Sequence, residues 1–230
     1  YAVKCRSKDG SPVLERLRDP MDDGVVTVEQ ALGDLTMLKA GSRKDVLSYT
    51  DLGEPTSAYQ RNLRAESDEI ANVSVPRIND DTVLRLAGIP KGGNYRDLTG
   101  ELTKRYITGH RWGPSNGSGK LGRRHYYAYR KLHDGFWSWT LNTKADSVYH
   151  PSGARALSVR EFARLQSFPD GFVFTTDARA GDLAGRISGG AAHSRYRQVG
   201  NAVPPKLARS VARALSKSLG LSKPPRRRKR

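Results

Sequence analysis

The run Arg155-Ala-Leu-Ser-Val-Arg-Glu-Phe-Ala-Arg-Leu-Gln-Ser-Phe-Pro169 constrains this chain more than any other stretch. Ser158 stands three positions before Glu161, which is a capping box: the hydroxyl accepts from the Glu161 amide and the carboxylate accepts from the Ser158 amide. Leu157 and Phe162 occupy the two positions of a hydrophobic staple, which fixes the angle at which the chain enters the helix. The spacing predicts a helix over 158–168. It begins at Val159 and ends by Phe168, because Pro169 disfavours helical geometry in the residue before it. Arg160 and Arg164, four apart, share a face of that helix.

A second run, Arg195-Tyr-Arg-Gln-Val-Gly-Asn-Ala-Val-Pro-Pro-Lys-Leu-Ala208, reads as a turn feeding another helix. Gly200 permits a positive φ or a close approach of backbone. Pro204 and Pro205 suit a first helical turn, where a missing amide donor costs nothing. Val203, Leu207, Val211, Leu215 and Leu219 recur every four residues as an apolar stripe, with Lys206, Arg209, Arg213 and Lys217 mainly elsewhere. Gly220 is a natural stop. Amides at Gly200 to Ala202, just before a helix N-terminus, are placed to receive an anion or a polar ligand.

Charge narrows the class of partner. The formal net charge of +17 points to a polyanion such as nucleic acid; the bland alternative is a solvated basic surface. Cys5 is the single cysteine, so neither an intramolecular disulfide nor a cysteine-rich metal site can form, which fits a reducing compartment. His110, His125, His133, His150 and His193 show no zinc-ligand pairing, and no metal is expected. No apolar run reaches the length of a membrane span.

Weaker signals fill the rest. Val25 and Val26 fit the end of a short strand. Thr27 and Gln30 form a second capping box, followed by an apolar face of Val28, Ala31, Leu32 and Leu35 that Gly41 closes. Residues 42–66 read as loop and short helix. Thr82, Leu84, Leu86 and Ile89 fit either period, and the break at Pro90 favours a short helix. Residues 109–125 are glycine-rich and basic. They form either a solvated linker or a loop laid along DNA, with Arg111, Lys120, Arg123 and Arg124 on phosphates or guanine edges. Two strand-like runs, 125–132 and 136–141, flank the hairpin signal His133-Asp134-Gly135. Trp137, Trp139 and Leu141 alternate onto one face, more in keeping with core than with base stacking. Tyr126, Tyr127 and Tyr129 beside Arg130 and Lys131 form the better DNA-facing set. Residues 170–194 read mostly as loop, and 221–230 as a disordered basic tail.

The two leading runs carry a resemblance. Arg-Glu-x-x-Arg-Leu-Gln-x-Phe-Pro followed by Gln-Val-Gly-Asn-Ala-Val-Pro-Pro resembles the ninth and tenth conserved blocks of the DNA (cytosine-5-)-methyltransferases. Thr27 to Leu35 is similar to the segment after the eighth block, and 91–98 to the family's recognition region. Four other blocks do not occur in these 230 residues: the Pro-Cys nucleophile, Glu-Asn-Val, the Phe-x-Gly-x-Gly-Gly cofactor loop and Gln-x-Arg-x-Arg. Cys5 lies in Val-Lys-Cys-Arg, without the proline.

The resemblance therefore implies an α/β fold of a particular kind. It would be the C-terminal portion of the enzyme: a small mixed α+β target recognition domain, plus helices that pack on a Rossmann-like catalytic domain largely missing here. Residues 1–45 would pack on that large domain, 46–195 would form the recognition domain, and 196–220 would return to the large domain. By the same resemblance, Arg155, Arg160, Glu161, Arg164 and Gln166 organise the recognition domain. Gly200, Asn201, Ala202 and Val203 help form the S-adenosylmethionine pocket; the less favoured role for Asn201 is simply to hold the turn before the helix. The implied partners are double-stranded DNA and an N-terminal catalytic half, in cis or as a separate subunit, in a cytoplasmic, nucleoid-associated setting. The isolated chain is then expected to be inactive, with its apolar stripe exposed. The alternative is a catalytically inactive DNA-binding remnant or adaptor.

Overall fold

The computed structural model describes residues 25–65, 67–102, 129–175 and 191–220. The expected basic loop, with Arg111, Lys120, Arg123, Arg124, Tyr126 and Tyr127, lies outside them, as do Cys5 and the tail. The described residues form helices α1 (Val28–Leu32), α2 (Ala58–Arg64), α3 (Asp80–Ala87), α4 (Val159–Leu165), α5 (Ala191–Asn201) and α6 (Pro205–Ser218). One small antiparallel sheet joins β1 (Val46–Ser48) and β2 (Glu69–Ala71), with Leu47 opposite Ile70. The fold is mixed α/β.

α4 sits at the centre. Its Ser158 cap is formed as the sequence requires, with Ser158 Oγ taking the Glu161 amide and the Glu161 side chain taking the Ser158 amide. Six successive residues, Val159 to Arg164, are buried, so the helix is enclosed on every side. Val159, Phe162 and Ala163 join Leu157, Val28, Leu32, Tyr59, Leu63, Tyr196 and Val199 in the main core. α1 therefore buries its apolar face against α2 and α4, rather than leaving it open for another domain. Its capping box from Thr27 to Gln30 is also present. A second core gathers Leu35, Leu38, Leu47, Leu52, Ile70, Val73 and Val75 under the small sheet.

Several local expectations need correction. α4 stops at Leu165, earlier than Phe168, because Gln166 leaves helical geometry and Ser167 turns to φ +64°. α1 gives way to a 3-10 turn at Gly33–Leu35 and does not run on to Gly41. No strand forms at Val25–Val26, while the strand β1 lies inside a segment expected as loop and helix. The hairpin is absent among the described residues. Instead of pairing with 136–141, the chain at 130–132 lies beside Tyr149: the Leu132 amide donates to Tyr149 O at 3.0 Å and the Tyr149 amide to Arg130 O at 2.8 Å. Long-range pairing of isolated backbone positions overrode the local turn signal. The helix over 80–87 and the break before Pro90 follow the expectation.

Candidate functional site: the joined end of α4, α5 and α6

The arginines of the first run are interior. Arg155 donates through both terminal nitrogens to the two oxygens of Glu161, each at 2.8 Å, and both side chains are buried. Glu161 also takes the Ser158 amide at 2.7 Å and the Ser158 hydroxyl at 3.0 Å. Burial alone would raise the Glu161 pKa, but Arg155 outweighs it and holds the carboxyl below the usual glutamate range. The fork geometry of a guanidinium suits such a paired carboxylate.

Arg160 reaches three backbone carbonyls: Ala71 at 2.8 Å, Pro169 at 3.0 Å and Phe172 at 2.7 Å. Arg164 donates to Asp170 at 2.9 and 2.6 Å and to Asp34 at 2.5 Å. Asp34 is shared with Arg64, and Asp170 with the Tyr49 hydroxyl at 2.9 Å. Asp34 and Asp170 thus face Arg64 and Arg164, and Arg160 lies 3.9 Å from Asp170; an unpaired buried charge here would cost roughly several kcal/mol. One helix face carries Arg160 and Arg164, as the spacing predicts, and it faces protein rather than solvent.

The two sequence runs meet at the end of α4. Gln166 donates from Nε2 to Val199 O at 3.2 Å, and Ser167 Oγ accepts the Lys206 amide at 3.1 Å. These contacts bracket the stretch Gly200 to Val203 from both sides. Lys206 Nζ lies 4.1 Å from the centre of the Tyr59 ring, whose hydroxyl donates to Arg164 O at 2.6 Å. Tyr196 closes the inner side, edge-on to Phe162 at 4.9 Å, with its hydroxyl donating to Leu157 O at 2.6 Å.

Gly200 does not adopt a positive φ; it is the close approach that needs glycine. A Cβ there would lie 2.4 Å from Asn142 O and 2.9 Å from Thr143 Cα. The expected turn is in fact the last turn of α5, a helix that runs from the end of the expected loop through the residues expected as a turn. That corrects the anion-cradle expectation, because helical amides donate to the preceding turn and the Ala202 amide is taken by Val199 O at 3.2 Å. What remains open to a ligand is side-chain surface. Asn201 and Val203 are exposed, Gly200 and Ala202 half-buried. An exposed carboxamide beside an apolar side chain can form one wall for a ligand with both polar and apolar parts.

Arg130 and Lys131 do not form a DNA-facing pair. Arg130 donates to Ser147 O at 2.9 Å and Thr140 O at 3.1 Å, and Lys131 Nζ to Leu86 O at 3.1 Å and Ile89 O at 2.9 Å. Both are buried, and their cationic ends tie loops together. The sequence reading missed Asp34, Asp170 and Asn72. Asn72, at φ +67°, clamps Phe174 by accepting its amide at 2.8 Å and donating to its carbonyl at 3.0 Å. Only Asp170 carried a usable signal, as an acid in the turn just past Pro169. Among the described residues, no group of three or more His, Cys, Asp and Glu could hold a metal ion. No helix among them is long and apolar enough to cross a membrane.

Comparison with known proteins follows the same lines. A DNA modification methyltransferase encoded within an E. coli prophage shares the fold, with a TM-score of 0.52 and 19% identity over 85% of this chain and 48% of its own. The profile of the C-5 cytosine-specific DNA methylases matches residues 53–217. The chain belongs to that family. It is 30% identical to DNA (cytosine-5)-methyltransferase 1B of Oryza sativa subsp. japonica, over 84% of this chain and 12% of the relative. It is 29% identical to the type II methyltransferase M.DdeI of Desulfomicrobium norvegicum, over 91% of this chain and 48% of the relative. The chain thus spans half or less of the length of these curated relatives.

Proposed function

We propose that these residues are the DNA-recognition and partial cofactor-pocket portion of a DNA cytosine-5 methyltransferase. Joined to an N-terminal catalytic half, in cis or as a separate subunit, the whole transfers a methyl group from S-adenosylmethionine to carbon 5 of cytosine in duplex DNA. The observation that carries the reading is the exposed stripe along α6 and its two flanks, which starts at the last residue of the cofactor-matching stretch. Val203, Leu207, Val211, Leu215 and Leu219 are each at least half exposed. A contiguous apolar face of this kind marks an interface, and the reading takes the catalytic half as the domain that covers it.

In that reading, Asn201 and Val203 face the bound cofactor, which supplies the electrophilic methyl group. Gln166 and Ser167 hold that wall in place from the end of α4. Arg155, Arg160, Glu161 and Arg164 give the wall and the recognition segments one rigid foundation. The nucleophile and the acid that steadies the base belong to the other half. In the same reading, 196–220 returns the chain to the large domain, while α1 shares one core with Phe162, Tyr196 and Val199.

The test is a methyl-transfer assay with labelled S-adenosylmethionine and duplex DNA. The 230-residue chain alone should incorporate no label, and mixing with the half that carries the Pro-Cys and cofactor-loop blocks should restore incorporation. Label incorporated by the chain alone would sink the reading of an incomplete enzyme. Sequence-selective DNA binding with no activity in the mixture would favour the remnant.

A further inference from the structure

α6 has a second face. Its 14 residues run about 21 Å at 1.5 Å per residue, and every residue from Lys206 to Leu215 is exposed. The helix is anchored at its start, by the Lys206 amide on Ser167 Oγ, and then stands open on all sides. At about 100° per residue, Lys206, Arg209 and Arg213 fall within a sector of about 60°, while the apolar stripe centres on nearly the opposite side. Filling the stripe with a partner domain therefore leaves the basic row open.

The charge of the chain is concentrated in the same part of the sequence. Residues 183–230 carry 13 Lys and Arg and no Asp or Glu, so they hold +13 of the net +17. Several arginines of the body are paired with carboxylates, namely Arg155 with Glu161, Arg164 with Asp34 and Asp170, and, within this stretch, Arg195 with Asp45. Lys206, Arg209 and Arg213 form no ion pair among the described residues.

We propose that the row Lys206, Arg209 and Arg213 on α6 is a phosphate-contacting surface for duplex DNA, separate from base recognition. Its role is to hold the duplex without reading sequence, through the counterions that DNA releases on contact. Arg209 and Arg213 contribute the larger part, because Lys206 already rests on the Tyr59 ring. The inference rests on the methyltransferase reading only in naming duplex DNA as the polyanion.

The experiment is a salt titration of the 230-residue chain against random-sequence duplex DNA. Replacing two phosphate contacts should lower the slope of log K against log salt by about 1.8. Between about 50 and 200 mM salt, the wild type should then lose about 12-fold more affinity than R209Q/R213Q. R209K/R213K should restore the slope, and L207Q/V211Q should leave it unchanged. Circular dichroism checks that each variant keeps its helix. An R209Q/R213Q slope equal to wild type overturns the proposal. So does tighter binding to phosphatidylserine vesicles than to DNA at equal anion concentration, which would make α6 a lipid-facing helix. A chain that shows the slope difference but gives no methyl transfer when mixed fails the enzyme reading and keeps this one.

Discussion

Glu161 is the residue on which the interior depends most. It neutralises Arg155 and also holds the Ser158 amide, so removing its charge strands a buried guanidinium and loosens a helix cap together. Glu161→Gln is expected to cost about 3–5 kcal/mol, the range for breaking a buried pair from one side. Its pH dependence has a fixed sign. The folded carboxyl is held below its ordinary value of about 4.3, so the stabilisation is complete above that value. It is lost as pH falls and the unfolded chain takes up the proton first. Denaturant midpoints measured from pH 7 to pH 3 should therefore fall more steeply for the wild type than for Glu161→Gln. Parallel curves would show that the pair contributes nothing to acid stability.

At the scale of elements, the end of α4 governs where α5 and α6 lie. Ser167 in left-handed geometry presents its hydroxyl to the Lys206 amide, and Gly200 lets α5 rest on the backbone at Asn142. Gly200→Ala forces that backbone apart and should destabilise by about 1–3 kcal/mol, the usual range for overpacking, seen as a lower urea midpoint. Ser167→Ala removes one hydrogen bond of about 1 kcal/mol. It should speed amide exchange at Lys206 while leaving α4 protected; unchanged exchange at Lys206 would deny Ser167 its positioning role.

Element-level signals in the sequence were legible where they were local. The capping boxes at Thr27 and Ser158, the stop at Gly220 and the stripe of α6 all depend on neighbours within one or two turns. What was not legible depends on distant partners. Arg160 and Arg164 share a face as their spacing requires, but nothing nearby says that Asp34, 130 positions away, waits in the core. Arg130 and Lys131 looked like surface cations beside tyrosines, and only the fold reveals the carbonyls that bury them. The β1–β2 pair and the non-hairpin path at 130–149 likewise follow from tertiary contacts that no short window contains.

On the scale of the whole molecule, α6 divides the protein into a finished body and an unfinished face. The body holds its buried cations on carboxylates or backbone carbonyls and fills its own core, so it does not need α6 to complete itself. Leu207, Val211 and Leu215 of α6, with Val203 and Leu219 at its flanks, stay half or more exposed on the body, so each forgoes a good part of the about 1.5–3 kcal/mol that full burial contributes. That gain is available only from another surface, reduced by the ordering cost of association. Two outcomes follow for L207Q/V211Q/L215Q. Because these side chains are exposed, thermal stability of the isolated chain should hardly change. The wild-type chain should self-associate in sedimentation experiments and the variant should not, and the variant should fail to restore methyl transfer when mixed with the catalytic half. A wild-type chain that sediments as a monomer at all concentrations, and a variant that still complements fully, would mean that α6 is not the surface on which the two halves join.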